Sequence, residues 1–177
     1  GRKGFYRAMC PDPAPEKLLT DPQGPWQLHL TSIKPWPSCR HTHPVIDAAL
    51  ELHAGLQGAA VARVEIETYQ AALDVCDRPA PESEYEAKFS LHHCAAIALL
   101  EGQVGLTSFT PEARNATAGL RKVTQARAVD PYLSAYPGAW GAHVRVATMD
   151  GRQLEAFRGH CLGDPEQPLD ANGMRQK

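Results

Sequence analysis

With 177 residues, 43% of them hydrophobic, the chain suffices for one domain with its own core, and its formal charge of -2, spread over interspersed acids and bases, excludes a surface built for nucleic acid or anionic membrane. No apolar run approaches the roughly 20 residues that cross a bilayer, and the start, GRKGFYRAMC, lacks the apolar core of a signal peptide, so a cytoplasmic protein with small-molecule or protein partners is expected. Five scattered cysteines (Cys10, Cys39, Cys76, Cys94 and Cys161) form no C-x-x-C pair and read as reduced thiols rather than as a disulfide framework or a zinc knuckle.

Residues 1–26 include CPDPAPEKLLTDPQGPW, rich in proline and acids, and read as a linker with a short helical possibility around Pro15 to Leu19. In WQLHLTSIK, Leu28, Leu30 and Ser32 alternate with His29, Thr31 and Ile33, which predicts a strand. It leads into KPWPSCRHTHP, Lys34 to Pro44, a stretch dense in chemistry. A helix follows, with Val45, Ala48, Ala49 and Leu52 on one face, Pro44 in its first turn, Thr42 or His43 as its cap and Gly55 at its end.

ARVEIETY predicts a second strand, with Ala62, Val64, Ile66 and Thr68 on its buried face. After the loop DRPAPE, Ser83 and Glu86 have capping-box spacing, and the helix they start ends in CAAIALLEG, apolar all round before Gly102. Thr110-Pro111-Glu112 opens a further helix leading into the strand KVTQARAV. AHVRVATM and RQLEAFRG flank Asp150-Gly151, the two-residue signal of a type I′ hairpin. This order predicts an α+β domain of two layers, a mostly antiparallel sheet with helices packed on one face. The opening without methionine and the end DANGMRQK, without a closing element, suggest a piece of a longer protein, with residues 171–177 a tail.

Three chemistries compete for Lys34 to Pro44. Cys39, His41 and His43 are metal-ligand types, but no second ligand pair is evident and Lys34 and Arg40 repel a cation. Cys39 as a nucleophile needs a depressed pKa, which the neighbouring bases supply, while its bland alternative is a buried thiol at a bend. An anion site uses the most residues: Lys34, stiffened by two prolines, with Arg40 and the histidines at a helix start. Further on, Lys88 and His92 are spaced i, i+4, and Ser90 and His93 lie where the apolar half begins. A histidine there is usually a satisfied core residue, though two beside a buried stretch also suit a site. Asn115-Ala116-Thr117 matches a glycosylation acceptor but falls inside a predicted helix.

KPWPSCRHTHPVIDAALEL resembles the K-P-Y-P-x-C-x-x-x-H-x-x-I-D-A signature of the MmgE/PrpD family, which includes 2-methylcitrate dehydratase, cis-aconitate decarboxylase and iminodisuccinate epimerase. YEAKFSLHHCAAIALLEGQVGLTSF is similar to its A-K-F-S-L-x-Y-x-x-A-x-A-L-x-x-G block, and VRVATMDGRQLEAFRGHCLGDPEQPLD to its closing hairpin and G-x-P-x-x-P-L turn. The resemblance implies that residues 27–170 are the family's C-terminal α+β lid, without the large helical N-terminal domain. It also implies a cleft between the two domains, no metal or organic cofactor, and small di- or tricarboxylate substrates that lose a proton or a carboxylate. Lys34 matches the lid lysine. Cys39 falls where some members have histidine, His43 matches the histidine before the helix, and His93 replaces a tyrosine found in most members.

On that resemblance the candidate catalytic residues are Lys34, Cys39 and His93, and the candidate carboxylate binders are Lys34, Arg40, His43, Lys88 and Ser90. The implied activity is a 2-methylcitrate dehydratase-like lyase, inactive without its helical domain, which supplies the general base. Partners would be the substrate, that domain and a second copy in a homodimer. The alternatives are an epimerase of the same family and a non-catalytic dimerisation or binding module.

Overall fold

A computed structural model of the chain describes residues 4–16, 23, 24 and 26–177, and it divides into two compact units, Gly1–Thr31 and Ser32–Lys177. In the first, helix α1 spans Phe5–Met9, and a 3-10 turn spans Gln27–Leu30. That turn replaces the strand expected in WQLHLTSIK. Its N–H groups bond locally, His29 to the Trp26 carbonyl at 2.9 Å and Thr31 to that of Leu28 at 3.2 Å, because alternation alone makes no strand without an edge to pair with. The helical possibility at Pro15 to Leu19 lies partly outside the described residues.

In the second unit, α2 spans His43–Leu56. It runs past the expected stop at Gly55, which lies beside Leu154, and ends with Gln57 in the left-handed region at φ 50°. β1 is Val61–Thr68, followed by α3, Gln70–Cys76, which the alternation pattern did not announce. α4, Glu84–Lys88, and α5, Leu91–Glu101, replace one expected helix. Phe89 and Ser90 leave helical geometry, and the Ser90 hydroxyl accepts the His93 N–H at 2.9 Å, capping a new helix instead of continuing the old one. Lys88 and His92 therefore do not share a helical face. At its far end α5 stops on Gly102, at φ 65°, as expected.

α6, Pro111–Ala116, starts under its Thr110 cap, and α7, Ala118–Lys122, leads into β2, Thr124–Ala128. After α8, Tyr132–Ala135, the hairpin pairs β3, Ala142–Thr148, with β4, Gln153–Arg158. Its turn is not the expected two-residue type I′. Gly151 alone is left-handed, at φ 89°, its N–H bonds the Thr148 carbonyl at 3.1 Å, and the Thr148 N–H bonds that of Arg152 at 3.0 Å, a three-residue loop. The tail forms a last short helix, α9, Ala171–Gln176, capped by Asp170.

The sheet order is β2-β1-β3-β4, with β1 and β2 parallel and the other pairs antiparallel. Val64, Ile66, Val144 and Val146 point from it into the core, where α2 brings Val45, Ile46 and Ala49 and α5 brings Leu91, Ile97 and Ala98. Burying each Val, Leu or Ile contributes about 1.5–3 kcal/mol, so this helix-on-sheet layer carries the fold. The opposite sheet face is charged: Glu67 receives Arg127 at 2.6 Å and Arg145 at 2.9 Å, and Glu155 receives His143 at 3.2 Å. The observed fold is the expected α+β two-layer domain. No helix among the described residues is long and apolar enough to cross a membrane.

Candidate functional site

The stretch from Lys34 is held against the turn after β4. Gly163 sits at φ 91°, and a Cβ there would lie 1.9 Å from the Ile33 carbonyl oxygen, so only glycine lets the two strands of chain approach. The Ile33 N–H bonds the Gly163 carbonyl at 2.8 Å. The next residue, Asp164, is buried and gathers the region: it accepts from Ser32 Oγ at 2.7 Å, from the Cys161 N–H at 2.9 Å, and from Arg40 Nη2 at 2.5 and 2.7 Å. Burial pushes its carboxyl up, but the Ser32 hydroxyl, the Cys161 N–H and Arg40 outweigh that and hold it below the usual range. Asp47 is a second buried anchor, accepting from the Trp36 indole at 2.8 Å and the Leu162 N–H at 2.6 Å.

Between these anchors the loop presents Lys34 and Cys39. Lys34 is exposed and, among the described residues, has no hydrogen bond or ion pair. Cys39 is half-buried, its N–H bonded to the Lys88 carbonyl at 2.9 Å. The influence of the Cys76 thiol, opposed by burial and supported by the His41 N–H and the Lys34 charge, lowers the Cys39 pKa to about 6. The direction favours the thiolate form of Cys39, and the Lys34 charge contributes to it.

The other expected site residues have partners of their own. The Arg40 guanidinium is spent on Asp164 and stacks over Trp140 at 5.3 Å, while its Nη1 is buried without a partner. His43 has no exposed surface and neither ring nitrogen is bonded. Burial, then the Arg40 charge, lowers it to about 3, so it is neutral. It does not cap α2. Neither does the Thr42 hydroxyl, which donates to the Cys39 carbonyl at 2.8 Å. Lys88 pairs with Glu84 at 2.7 Å and reaches the loop only through its carbonyl.

The Ser90 hydroxyl is used twice, accepting from His93 and donating to the Arg78 carbonyl at 2.6 Å. His93 is closed off in the core. Its Nε2 donates to the Ser108 carbonyl at 2.8 Å and its Nδ1 lies 3.0 Å from the Thr117 hydroxyl, which binds the segment 106–109 to α5. Burial lowers it to about 4, an uncharged structural imidazole. The fold thus leaves Lys34 and Cys39 on the loop, commits Arg40 to Asp164, buries His43 at the start of α2, and gives Ser90 and His93 work inside the helical layer.

Sequence reasoning missed Asp164, Cys76 and the aromatic wall. His41 stacks on Trp140 with centroids 4.8 Å apart and bonds the Tyr69 hydroxyl at 2.8 Å. The signal for Asp164 was present in GDPEQPL, between the glycine and the proline; nothing in ALDVCD announces the influence of Cys76 on Cys39. Cys39, His41 and His43 do not converge on a metal. Among the described residues only His160, Asp164 and Glu166 bring ligand atoms together, within 4.8 Å, and Arg40 already engages both Asp164 oxygens.

Residues 36–177 match the family model described as the MmgE/PrpD C-terminal domain. A search of curated proteins found no match.

Proposed function

Because the chain belongs to the MmgE/PrpD family, matching its C-terminal domain over most of its length, we propose that it forms the lid wall of a cofactor-independent lyase acting on a small di- or tricarboxylate, in the manner of 2-methylcitrate dehydratase. The observation that carries this reading is Lys34: an exposed ammonium with no partner among the described residues, followed by Pro35 and Pro37 on a loop anchored by Asp47 and Asp164. Such a cation neutralises a substrate carboxylate, and it does so best when the cleft above it closes and excludes water.

Cys39, on the same loop, is the lid's proton carrier. Its pKa near neutrality suits a group that takes or returns a proton next to a carboxylate. The remaining carboxylate contacts and the principal base come from the family's helical domain, so this domain alone turns nothing over. The working enzyme is a cytoplasmic homodimer. An epimerase of the same family needs the same lysine and differs in where bases lie on the two faces of the substrate.

The test is turnover of 2-methylcitrate, cis-aconitate and iminodisuccinate by the full-length protein that carries this domain, with Lys34→Ala beside it. Turnover of one acid, lost by on the order of a hundredfold or more in the variant, supports the reading and names the reaction. Turnover unaffected by the substitution, or none of the three acids used, overturns it in favour of a binding or dimerisation module.

A further inference from the structure

His41 is the middle residue of the turn Arg40–Thr42, and aromatic side chains from two other segments fix its ring. Its plane lies on Trp140, with centroids 4.8 Å apart and planes 7° from parallel, and its Nδ1 is 2.8 Å from the Tyr69 hydroxyl. Tyr69 comes from the link between β1 and α3 and is itself stacked on Tyr136, centroids 4.5 Å apart. Trp140, just before β3, is held by its indole N–H on the Pro137 carbonyl at 3.2 Å. The imidazole therefore cannot turn without breaking a stack or a hydrogen bond.

The Tyr69 hydroxyl decides which nitrogen carries the proton. Tyr69 has no exposed surface, and His41 Nδ1 is the one hydrogen-bond partner of its hydroxyl among the described residues. If Nδ1 donated, the hydroxyl proton would be buried without an acceptor, a cost that the opposite arrangement avoids. Tyr69 therefore donates, Nδ1 is bare, and the ring proton sits on Nε2. Burial, then the Arg40 charge, lowers the pKa of His41 and keeps the ring neutral. Nε2 is the open end. It has no partner among the described residues, and it is not one of the ring nitrogens sealed from solvent, which are both of His43 and Nδ1 of His92.

We propose that His41 is a substrate-binding residue of the lid, donating its Nε2–H to a carboxylate oxygen of the bound acid. The inference rests on the carboxylate-lyase reading and adds a residue to it. Arg40, its neighbour, is committed to Asp164, so the turn's free donor is the imidazole. Lys34 supplies charge on a flexible stem, whereas His41 supplies direction: its N–H is already in place, and little freedom is lost when a carboxylate meets it. While Tyr69 donates to Nδ1, His41 has no lone pair to offer outward. It binds the acid without taking its proton.

Two readouts on the full-length protein that carries this domain test the assignment. Nitrogen-15 NMR of labelled histidines at neutral pH is expected to show His41 protonated on Nε2, with that signal shifting when citrate, a tricarboxylate, is added. His41→Phe keeps the ring against Trp140 but has no N–H. It should raise KM for the acid turned over, or the Kd of citrate where none of the three acids is used, by about ten- to a hundredfold with kcat unchanged, the range of a hydrogen bond to a charged group. His41→Gln, whose amide N–H replaces the Nε2–H, should stay within about threefold of the parent. A residue that only supported the fold would change stability and leave KM alone. A proton on Nδ1, a signal indifferent to citrate, His41→Phe binding like the parent, or His41→Gln as weak as His41→Phe overturns the inference. The tautomer and its citrate shift are read on the unsubstituted protein, so they decide even if His41→Phe does not fold. Parent-like His41→Phe beside a disabled Lys34→Ala sinks this residue alone; turnover of none of the acids together with indifference to citrate sinks the lyase reading as well.

Discussion

Asp164 fixes three pieces of chain at once, because its two oxygens take Ser32, Arg40 and the Cys161 backbone. Removing Arg40 would leave a buried carboxylate with only hydroxyl and N–H donors, and such uncompensated charges cost several kcal/mol. Arg40→Ala should therefore lower unfolding free energy by roughly 2–4 kcal/mol, read from urea denaturation, whereas an Arg40 that merely faced solvent would cost almost nothing. Gly163 makes a sharper case. Any side chain there meets the Ile33 carbonyl in a left-handed backbone, two penalties at one atom. Gly163→Ala is expected to cost at least about 2 kcal/mol and to loosen Lys34 as well, so thermal stability and, in the full-length protein, KM should both move. A Gly163→Ala chain as stable as the parent would show that Ile33 is not held there.

Elements were legible in the sequence wherever periodicity met a local punctuation mark: α2 after Pro44, α6 under Thr110, and β1 with its buried Val64 and Ile66. They were misjudged where the deciding partner was not local. WQLHLTSIK alternates well yet closes into a 3-10 turn, and the apolar run of α5 hid the break at Ser90, because a serine inside a helical pattern can either point to solvent or restart the helix. The capping role gives Ser90 a test that separates structure from catalysis. Ser90→Ala removes the acceptor of the His93 N–H and orphans nothing else but the Arg78 carbonyl, so about 1 kcal/mol of stability should go. In the full-length protein kcat and KM should stay unchanged per folded molecule; a fall in kcat at full folding would return Ser90 to the substrate.

Across the whole molecule, the sequence showed which residues carry chemistry but not which of them the fold would bury, since burial depends on a packing of distant segments. His43 and His93 illustrate the consequence: two imidazoles sealed in the core and held neutral by burial, lowered from 6.5 to about 3 and about 4. Unfolded, each takes a proton as pH falls through 6.5, while folded neither does until far lower, so between those values the unfolded chain binds more protons and is favoured by acid. Their contribution is complete above pH 6.5 and is lost as pH falls towards 4. Asp47 works against this near the bottom of the window, because burial raises its carboxyl and the folded state then holds an extra proton. Asp164, lowered instead, adds its own loss only below its unfolded value of 3.8. Near pH 5 the two histidines together should make unfolding free energy fall by roughly 1–3 kcal/mol per pH unit, measured by urea denaturation from pH 7.5 to 4.5. His93→Gln should cut that slope by about half even though it also destabilises, since one of the two protons has no place to go. A flat profile over the same range would mean that the imidazoles reach water in the folded chain, and that the core around Ser108 and Thr117 is more open than its hydrogen bonds indicate.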